Sequence, residues 1–166
     1  MSMCKSLCTC LLACIYLLFS HSLRAQNDVI KLQSCEGNPY QQTIDSIKKA
    51  SSAQGYVLLR EASVQMESEY EMPVVLPMQA GTNYQFIFIG DPSSRLYEVR
   101  MYDWNERQVI YKRNQWGDVD GNIISYTYVP QFSEYHMIKP VQVNKKKKNL
   151  CGYVMLLKRP EPTAKK

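Results

Sequence analysis

Histidine is nearly missing from this sequence: only His21 and His136 occur among 166 residues. Triads of the Ser-His-Asp or Cys-His type need an imidazole base. His21 lies in the leader described below, so His136 is the sole candidate, and no Gly-x-Ser-x-Gly elbow supplies a nucleophile for it. Soft-metal centres gather several His and Cys ligands, and those donors are too few here. Neither a phosphate-cradling glycine loop nor a dinucleotide fingerprint occurs. His136 sits among Tyr135, Met137 and Ile138, where a strand-packed imidazole is the ordinary outcome. No catalytic residue is assigned, and the expectation is a protein that is not an enzyme.

Long apolar runs are also lacking. The longest, Leu7 to Phe19, has thirteen residues, short of the roughly 20 that a membrane span requires. Lys5 precedes it, and a polar stretch leads to Leu23-Arg24-Ala25 before Gln26. That layout predicts a signal peptide over residues 1–25, cleaved after Ala25. Leu11-Leu12-Ala13-Cys14 has the form of a bacterial lipoprotein box. The apolar run continues from Ile15 to Phe19, however, and this argues against lipidation at Cys14. The predicted location is therefore outside the cytoplasm: periplasmic, outer-membrane-associated or extracellular. Four of the six cysteines (Cys4, Cys8, Cys10 and Cys14) fall in the leader. Cys35 and Cys151 remain, and in an exported chain they are expected to form one disulfide.

Charge is unevenly placed. From Gln26 to Ile138 nine Lys/Arg face fourteen Asp/Glu, whereas from Lys139 to Lys166 nine Lys/Arg face Glu161 alone. An acidic body thus carries a basic end, which a solvated loop and a frayed tail explain without an anionic partner.

Asn38-Pro39 has the chemistry of a helix start. Tyr40, Ile44, Ile47 and Ala50 follow at helical spacing, predicting a helix over 39–52 that Ser51, Ser52 and Gly55 close. Beyond it the period becomes two. Tyr84, Phe86 and Phe88 alternate with Gln85, Ile87 and Ile89, and similar alternation recurs at Tyr97–Tyr102 and Ile124–Tyr128. Eight strands are predicted, over 56–66, 70–78, 83–90, 96–103, 107–114, 122–129, 134–143 and 150–158. Turn chemistry separates them at Ala80-Gly81-Thr82, Asp91-Pro92-Ser93-Ser94, Asp103-Trp104-Asn105-Glu106 and Asp120-Gly121. Pro73, Pro77, Pro130 and Pro140 push their strands to sheet edges or strand ends. The fold class is mainly β: an antiparallel, jelly-roll-like β-sandwich of about eight strands with one N-terminal helix. A segment with the helix (26–55), a sandwich (56–159) and a basic tail (160–166) follow the leader, with 26–159 as one domain.

Three motifs invite chemistry. Glu67, Glu69 and Glu71 are spaced by two, which places them on one face of an extended segment, either as a solvated edge or meeting a cation. In Trp116-Gly117-Asp118-Val119-Asp120-Gly121-Asn122, the carboxylates of Asp118 and Asp120 resemble part of a Ca2+ loop. That loop lacks its distal acid, since position 127 is Thr, and Asp-Gly also marks a tight turn. The turn is preferred, so no cofactor and no metal are expected. Lys145, Lys146, Lys147 and Lys148 form a candidate anion-binding run, set against a solvated loop that blocks edge aggregation. The tyrosines and tryptophans suit either sandwich packing or an exposed face for sugars or peptides.

Gly81-Thr82-Asn83-Tyr84-Gln85-Phe86, Tyr97-Glu98-Val99-Arg100-Met101-Tyr102-Asp103 and Val109-Ile110 resemble bacterial pre-peptidase C-terminal domains. That resemblance covers about a third of the chain and implies a non-catalytic β-sandwich appendage, although no protease precedes it here. The mature chain is also similar to small uncharacterised exported proteins of Gram-negative bacteria that share Trp116–Gly121 and the Lys145–Lys148 loop. Together these readings predict a non-catalytic module that binds a protein, glycan or envelope component and reads no specific nucleic acid. The alternatives are a carboxylate-based hydrolase and a structural subunit of an envelope assembly.

Overall fold

The computed structural model describes Cys35, residues 40–115 and residues 117–160; the leader, Asn38-Pro39 and residues 161–166 lie outside the described residues. Helix α1 is Gln41–Ala53. Strands β1 (Val57–Glu67), β2 (Val74–Met78), β3 (Asn83–Ile89), β4 (Leu96–Tyr102) and β5 (Gln108–Asn114) follow. A one-turn helix α2 (Gly117–Asp120) then precedes β6 (Ile123–Tyr128), β7 (Glu134–Val143) and β8 (Asn149–Arg159). The period-two stretches are thus eight strands, and each strand lies close to its predicted span.

These strands form two antiparallel four-stranded sheets, ordered β1-β8-β3-β6 and β2-β7-β4-β5. Only β4 and β5 are neighbours both in the chain and in a sheet; every other connection crosses from one sheet to the other. This interleaving is the double Greek key of a jelly roll. Alternation assigns the faces. Phe86, Phe88, Val154 and Leu156 of the first sheet meet Leu76, Val99, Met101 and Ile138 of the second in one buried cluster.

Proline positions explain two departures from expectation. The predicted 70–78 strand begins only at Val74, because Glu69 has φ 73° and Pro73 lacks an N–H. Pro140, expected at an edge or end, lies instead within β7, between β2 and β4. Its carbonyl accepts from the Met72 N–H at 3.1 Å, and a strand residue turns both backbone groups to one side. The missing donor therefore faces the irregular segment before β2, so the β4 ladder is intact.

Helix α1 covers the outer face of the first sheet. Tyr40 and Ile44 pack with Ile87, Ile89, Met155 and Leu157. Ser51, rather than the expected Ala50, continues the buried stripe. A Schellman motif ends the helix: the Gly55 N–H reaches the Ser52 carbonyl at 2.9 Å and the Tyr56 N–H the Ser51 carbonyl at 3.0 Å, with Gly55 at φ 82°. The Cys35–Cys151 disulfide, with a Cα–Cα distance of 5.8 Å across 116 residues, ties the approach to this helix onto β8. The Tyr40 hydroxyl donates to the Cys151 carbonyl at 2.7 Å, adding a second tether.

Removing the disulfide frees a long loop in the unfolded chain, worth about 4–5 kcal/mol in the chain-entropy account. Cys35→Ser should lower Tm by roughly 10 °C or more in calorimetry; an unchanged Tm would refute the tether. A second test concerns Gly90. A Cβ there would overlap the Tyr97 ring, and that ring is fixed by its hydroxyl donating to the carbonyls of Asp91 (2.7 Å) and Ser94 (2.9 Å). Gly90→Ala should cost about 1–3 kcal/mol by chemical denaturation, and a neutral result would mean that the ring can yield.

Candidate functional site

The predicted site residues do not converge on one place. At the end of the sandwich where β7 turns into β8, the lysine run is partly built into the fold. Lys147 Nζ lies 2.7 Å from Asp91 Oδ2, and Lys148 Nζ 2.8 Å from Glu67 Oε1. Asn144 Oδ1 accepts the backbone N–H groups of Lys146 and Lys147 at 2.9 and 3.1 Å. Lys145 and Lys146 project from the turn, exposed. The run is therefore divided: two lysines pair internally and two face solvent. Burial pushes the Asp91 carboxyl up, but hydrogen bonds from Lys147, Ser93 and the Cys151 N–H outweigh this and hold it below the ordinary carboxylate range.

The three glutamates are separated as well. Glu67 ends β1, and the chain reverses at Glu69, where the Tyr70 N–H returns to the Glu67 carbonyl at 3.2 Å. Glu71 lies instead beside Arg100 (3.0 Å) and Lys139 (2.8 Å). The expected single face is lost because a positive φ at Glu69 breaks the alternation that spacing by two assumes.

Asp120-Gly121 is not a hairpin turn. It closes α2 on the crossover from β5 to β6, with Gly121 at φ 76°. Asn114 Nδ2 donates to the carbonyls of Asp120, Gly121 and Ile123 at 3.1–3.3 Å, so an amide supplies the donor on which those oxygens converge. The Asp118 side chain lies outside the described residues. Among the described residues no group of three or more His, Cys, Asp or Glu side chains is placed to hold a metal.

Two surfaces that the sequence did not single out are more suggestive. Among the described residues, no helix lies on the outer face of the second sheet, β2-β7-β4-β5. A ladder of charges crosses it: Glu98 accepts from Arg100 at 2.7 Å and lies 3.3 Å from Arg113, while Arg100 and Lys139 share Glu71. The Lys139 ammonium also sits 5.2 Å from the Tyr102 ring centroid. Beside this ladder Tyr111, Val75 and Met137 are exposed, and Trp104 pairs with Tyr135 at 6.2 Å between centroids.

At the end of the sheet next to that aromatic pair is a cleft of about 390 Å3, lined by Asp103, Arg107, Gln108, Tyr128, Phe132 and Glu134 among others. Asp103 Oδ1 accepts the Asn105 and Arg107 N–H groups, both at 2.9 Å, and Oδ2 takes the Arg107 guanidinium at 2.8 and 2.9 Å. Burial pushes this carboxyl up, but those bonds prevail and hold it low. His136 is buried beside the cleft, its Nε2 3.2 Å from the Tyr128 hydroxyl and 3.8 Å from Glu134 Oε1. Among the described residues its Nδ1 has no hydrogen-bond partner.

No family model and no curated protein matches the sequence. Solved structures are similar over parts of the chain. AlgX of Pseudomonas aeruginosa aligns with 11% identity and a TM-score of 0.42, covering 63% of this chain and 27% of that one. The Gap123 glycosylation-associated protein complex of Streptococcus agalactiae gives 13% identity and a TM-score of 0.35, covering 68% and 43%. A de novo designed double-stranded β-helix gives 15% and 0.33, covering 59% and 99%.

Acid titration tests the Asp91 junction. A carboxyl held low in the folded state stabilises above its unfolded value, near 4, and that stability is lost as pH falls through the folded value. Lys147→Ser should cost about 1 kcal/mol at pH 7, a modest figure because the lysine is half exposed, and should flatten the loss of stability below pH ~4. Lys145→Ser and Lys146→Ser should each stay within about 0.5 kcal/mol. Equal effects at Lys145, Lys146 and Lys147 would refute the division of the run.

Proposed function

We propose that this protein is an exported, non-catalytic β-sandwich module that binds a glycan of the cell envelope through the open face of the second sheet and the cleft beside it. The observation that carries this reading is the asymmetry of the two outer faces. Helix α1 and the disulfide occupy one, while the other presents Trp104, Tyr111 and Tyr135 beside a ladder of hydrogen-bonding charges. Aromatic rings offer flat apolar area with little entropy to lose on binding. Guanidinium, ammonium and carboxylate groups side by side supply donors and acceptors for the paired hydroxyls of a sugar.

The charges on this face are already paired, which favours a neutral or weakly charged ligand over a polyanion; a polyanion would have to displace Glu71 or Glu98. A hydrolase using two acids needs one carboxyl kept protonated and the other ionised. In the cleft Asp103 is instead bound on both oxygens by the Arg107 turn, an arrangement suited to holding shape. The leader and the two-cysteine staple support export. The resemblance to sandwich appendages of exported proteins points the same way.

Affinity electrophoresis through gels containing soluble envelope polysaccharides tests the reading. The mature protein should be retarded by at least one of them, and the Trp104→Ala/Tyr111→Ala/Tyr135→Ala variant, still folded by circular dichroism, should migrate as in a blank gel. Retardation equal in both proteins, or in neither, would refute the assignment.

A further inference from the structure

The end cleft has an electrostatic character different from the open face. Two of its three charged lining groups, Asp103 and Arg107, neutralise one another through a bidentate contact that the surrounding turn locks in place. Among the described residues Glu134 has the His136 imidazole at 3.8 Å, beyond hydrogen-bond range, and the Tyr128 hydroxyl in its field. Among the described residues, the cleft thus holds one carboxylate, Glu134, without a Lys or Arg ion-pair partner. That carboxylate is partly shielded from water, its side chain being 20% exposed. The rest of the lining is apolar or neutral: Phe132, 63% exposed at the rim, Val109 and Val129, the Tyr128 ring, and the amides Gln108 and Gln131.

We propose that this cleft is a subsite for an amino-sugar unit, with the ammonium group on Glu134, hydroxyls on Gln108, Gln131 and Arg107, and the apolar face of the pyranose against Phe132. The inference rests on the glycan reading above and adds the chemistry of one sugar. A partly desolvated carboxylate attracts a cation more strongly than an exposed one. Aromatic rings nearby reinforce that preference, and they also tolerate the C–H face of the sugar. An acidic ligand unit would meet Glu134 with like charge, and a neutral one would leave the carboxylate uncompensated. The volume lies within the range of small-ligand pockets and is contiguous in sequence with the Trp104–Tyr135 pair through Asp103 and Glu134. A glycan lying over the open face would therefore deliver a unit to this end.

Three oligosaccharides of the same length and linkage, differing only in the substituent on the second sugar carbon, isolate the ammonium: glucosamine, N-acetylglucosamine and glucose oligomers. Binding is read by isothermal titration at neutral pH and low salt. The glucosamine oligomer should bind wild type about tenfold or more tightly than the other two, as expected for a charge-assisted hydrogen bond. Glu134→Gln should collapse that preference to within about twofold, while Phe132→Ala should weaken all three. Glu69→Gln, at the opposite end of the sandwich, removes an equal charge and should leave the preference intact, which separates a site from general attraction to an acidic protein. Equal binding of all three oligomers, a preference untouched by Glu134→Gln, or no binding of the glucosamine oligomer would overturn the proposal. In the first case, loss of binding in the Trp104/Tyr111/Tyr135 variant would still uphold the glycan reading.

Discussion

One buried amide ties β1, β7, β8 and the turn after β3 together at the end of this jelly roll where β7 turns into β8. Gln142 has no exposed surface, and its side chain spans three segments far apart in sequence. Oε1 accepts the Asp91 N–H at 2.8 Å, and Nε2 donates to the Cys151 carbonyl at 3.3 Å and approaches the Met66 sulfur at 3.5 Å. An amide so placed must satisfy its donors and acceptor locally, because leaving one unpaired costs about 1–3 kcal/mol. It therefore specifies how β7 lies against the turn after β3 and the start of β8. The Tyr97 ring, the Gly90 backbone and the Lys147–Asp91 pair are arranged around the same point. Helix α1 reaches it too, since the Cys151 carbonyl also accepts the Tyr40 hydroxyl and Cys151 carries the disulfide. Loss of this junction would release the helix cover of the first sheet as well as the lysine turn.

The segregated charge of the sequence takes on a structural meaning here. The basic C-terminal stretch and the acidic body are not separate domains: β7 and β8 are interior strands, each flanked by strands from the acidic part. Lys139, Lys147 and Lys148 consequently meet Glu71, Asp91 and Glu67. Exposed pairs of this kind contribute little individually. Their value lies in register: a one-residue slip of β7 would turn Lys139 to the other face of the sheet, away from Glu71. Within the run, Lys147 and Lys148 thus complement acids brought from elsewhere in the chain, while Lys145 and Lys146 stand exposed on the turn.

Much of the fold was legible because alternation, turn residues and cysteine placement are local signals. Tyr84–Ile89 and Tyr97–Tyr102 had to be half-buried strands, Asp91-Pro92 and Asp103 had to turn, and Cys35 and Cys151 were the natural pair once the four cysteines of the predicted leader were set aside. What escaped was every feature that depends on which strands are neighbours. Pro140 reads as an edge residue until Met72 is seen to occupy its donor-poor side. Glu67, Glu69 and Glu71 read as one acidic face until Glu69 adopts a positive φ. Asp120-Gly121 reads as a hairpin, yet β5 and β6 belong to different sheets. The candidate site was the least legible part. Nothing in the local sequence separates Trp104 and Phe132, which are exposed, from Tyr97 and Tyr126, which are core. Strand parity places Tyr135 outward opposite the inward His136, but Trp104 and Phe132 lie in loops where no periodicity applies.

The contrast between the two sheets then follows from how much apolar area each must hide. On the first sheet, Ile87, Ile89, Tyr153, Met155 and Leu157 point away from the sandwich interior and would leave an apolar patch open to solvent; α1 covers it, and the disulfide keeps the cover closed. On the second sheet the corresponding positions include Arg100, Arg113 and Lys139, which keep part of their surface in water, and the buried Glu98, which Arg100 and Arg113 meet. Such a face is stable without a cover, so its exposed rings are not explained as a core awaiting a missing element. The Trp104 and Tyr135 rings meet tilted at 48°, 6.2 Å between centroids, and Phe132 stands exposed on a loop. These rings are thus free of the packing demands that fix Tyr97 and Tyr126 in the core, and that freedom is the physical basis of the glycan reading proposed above.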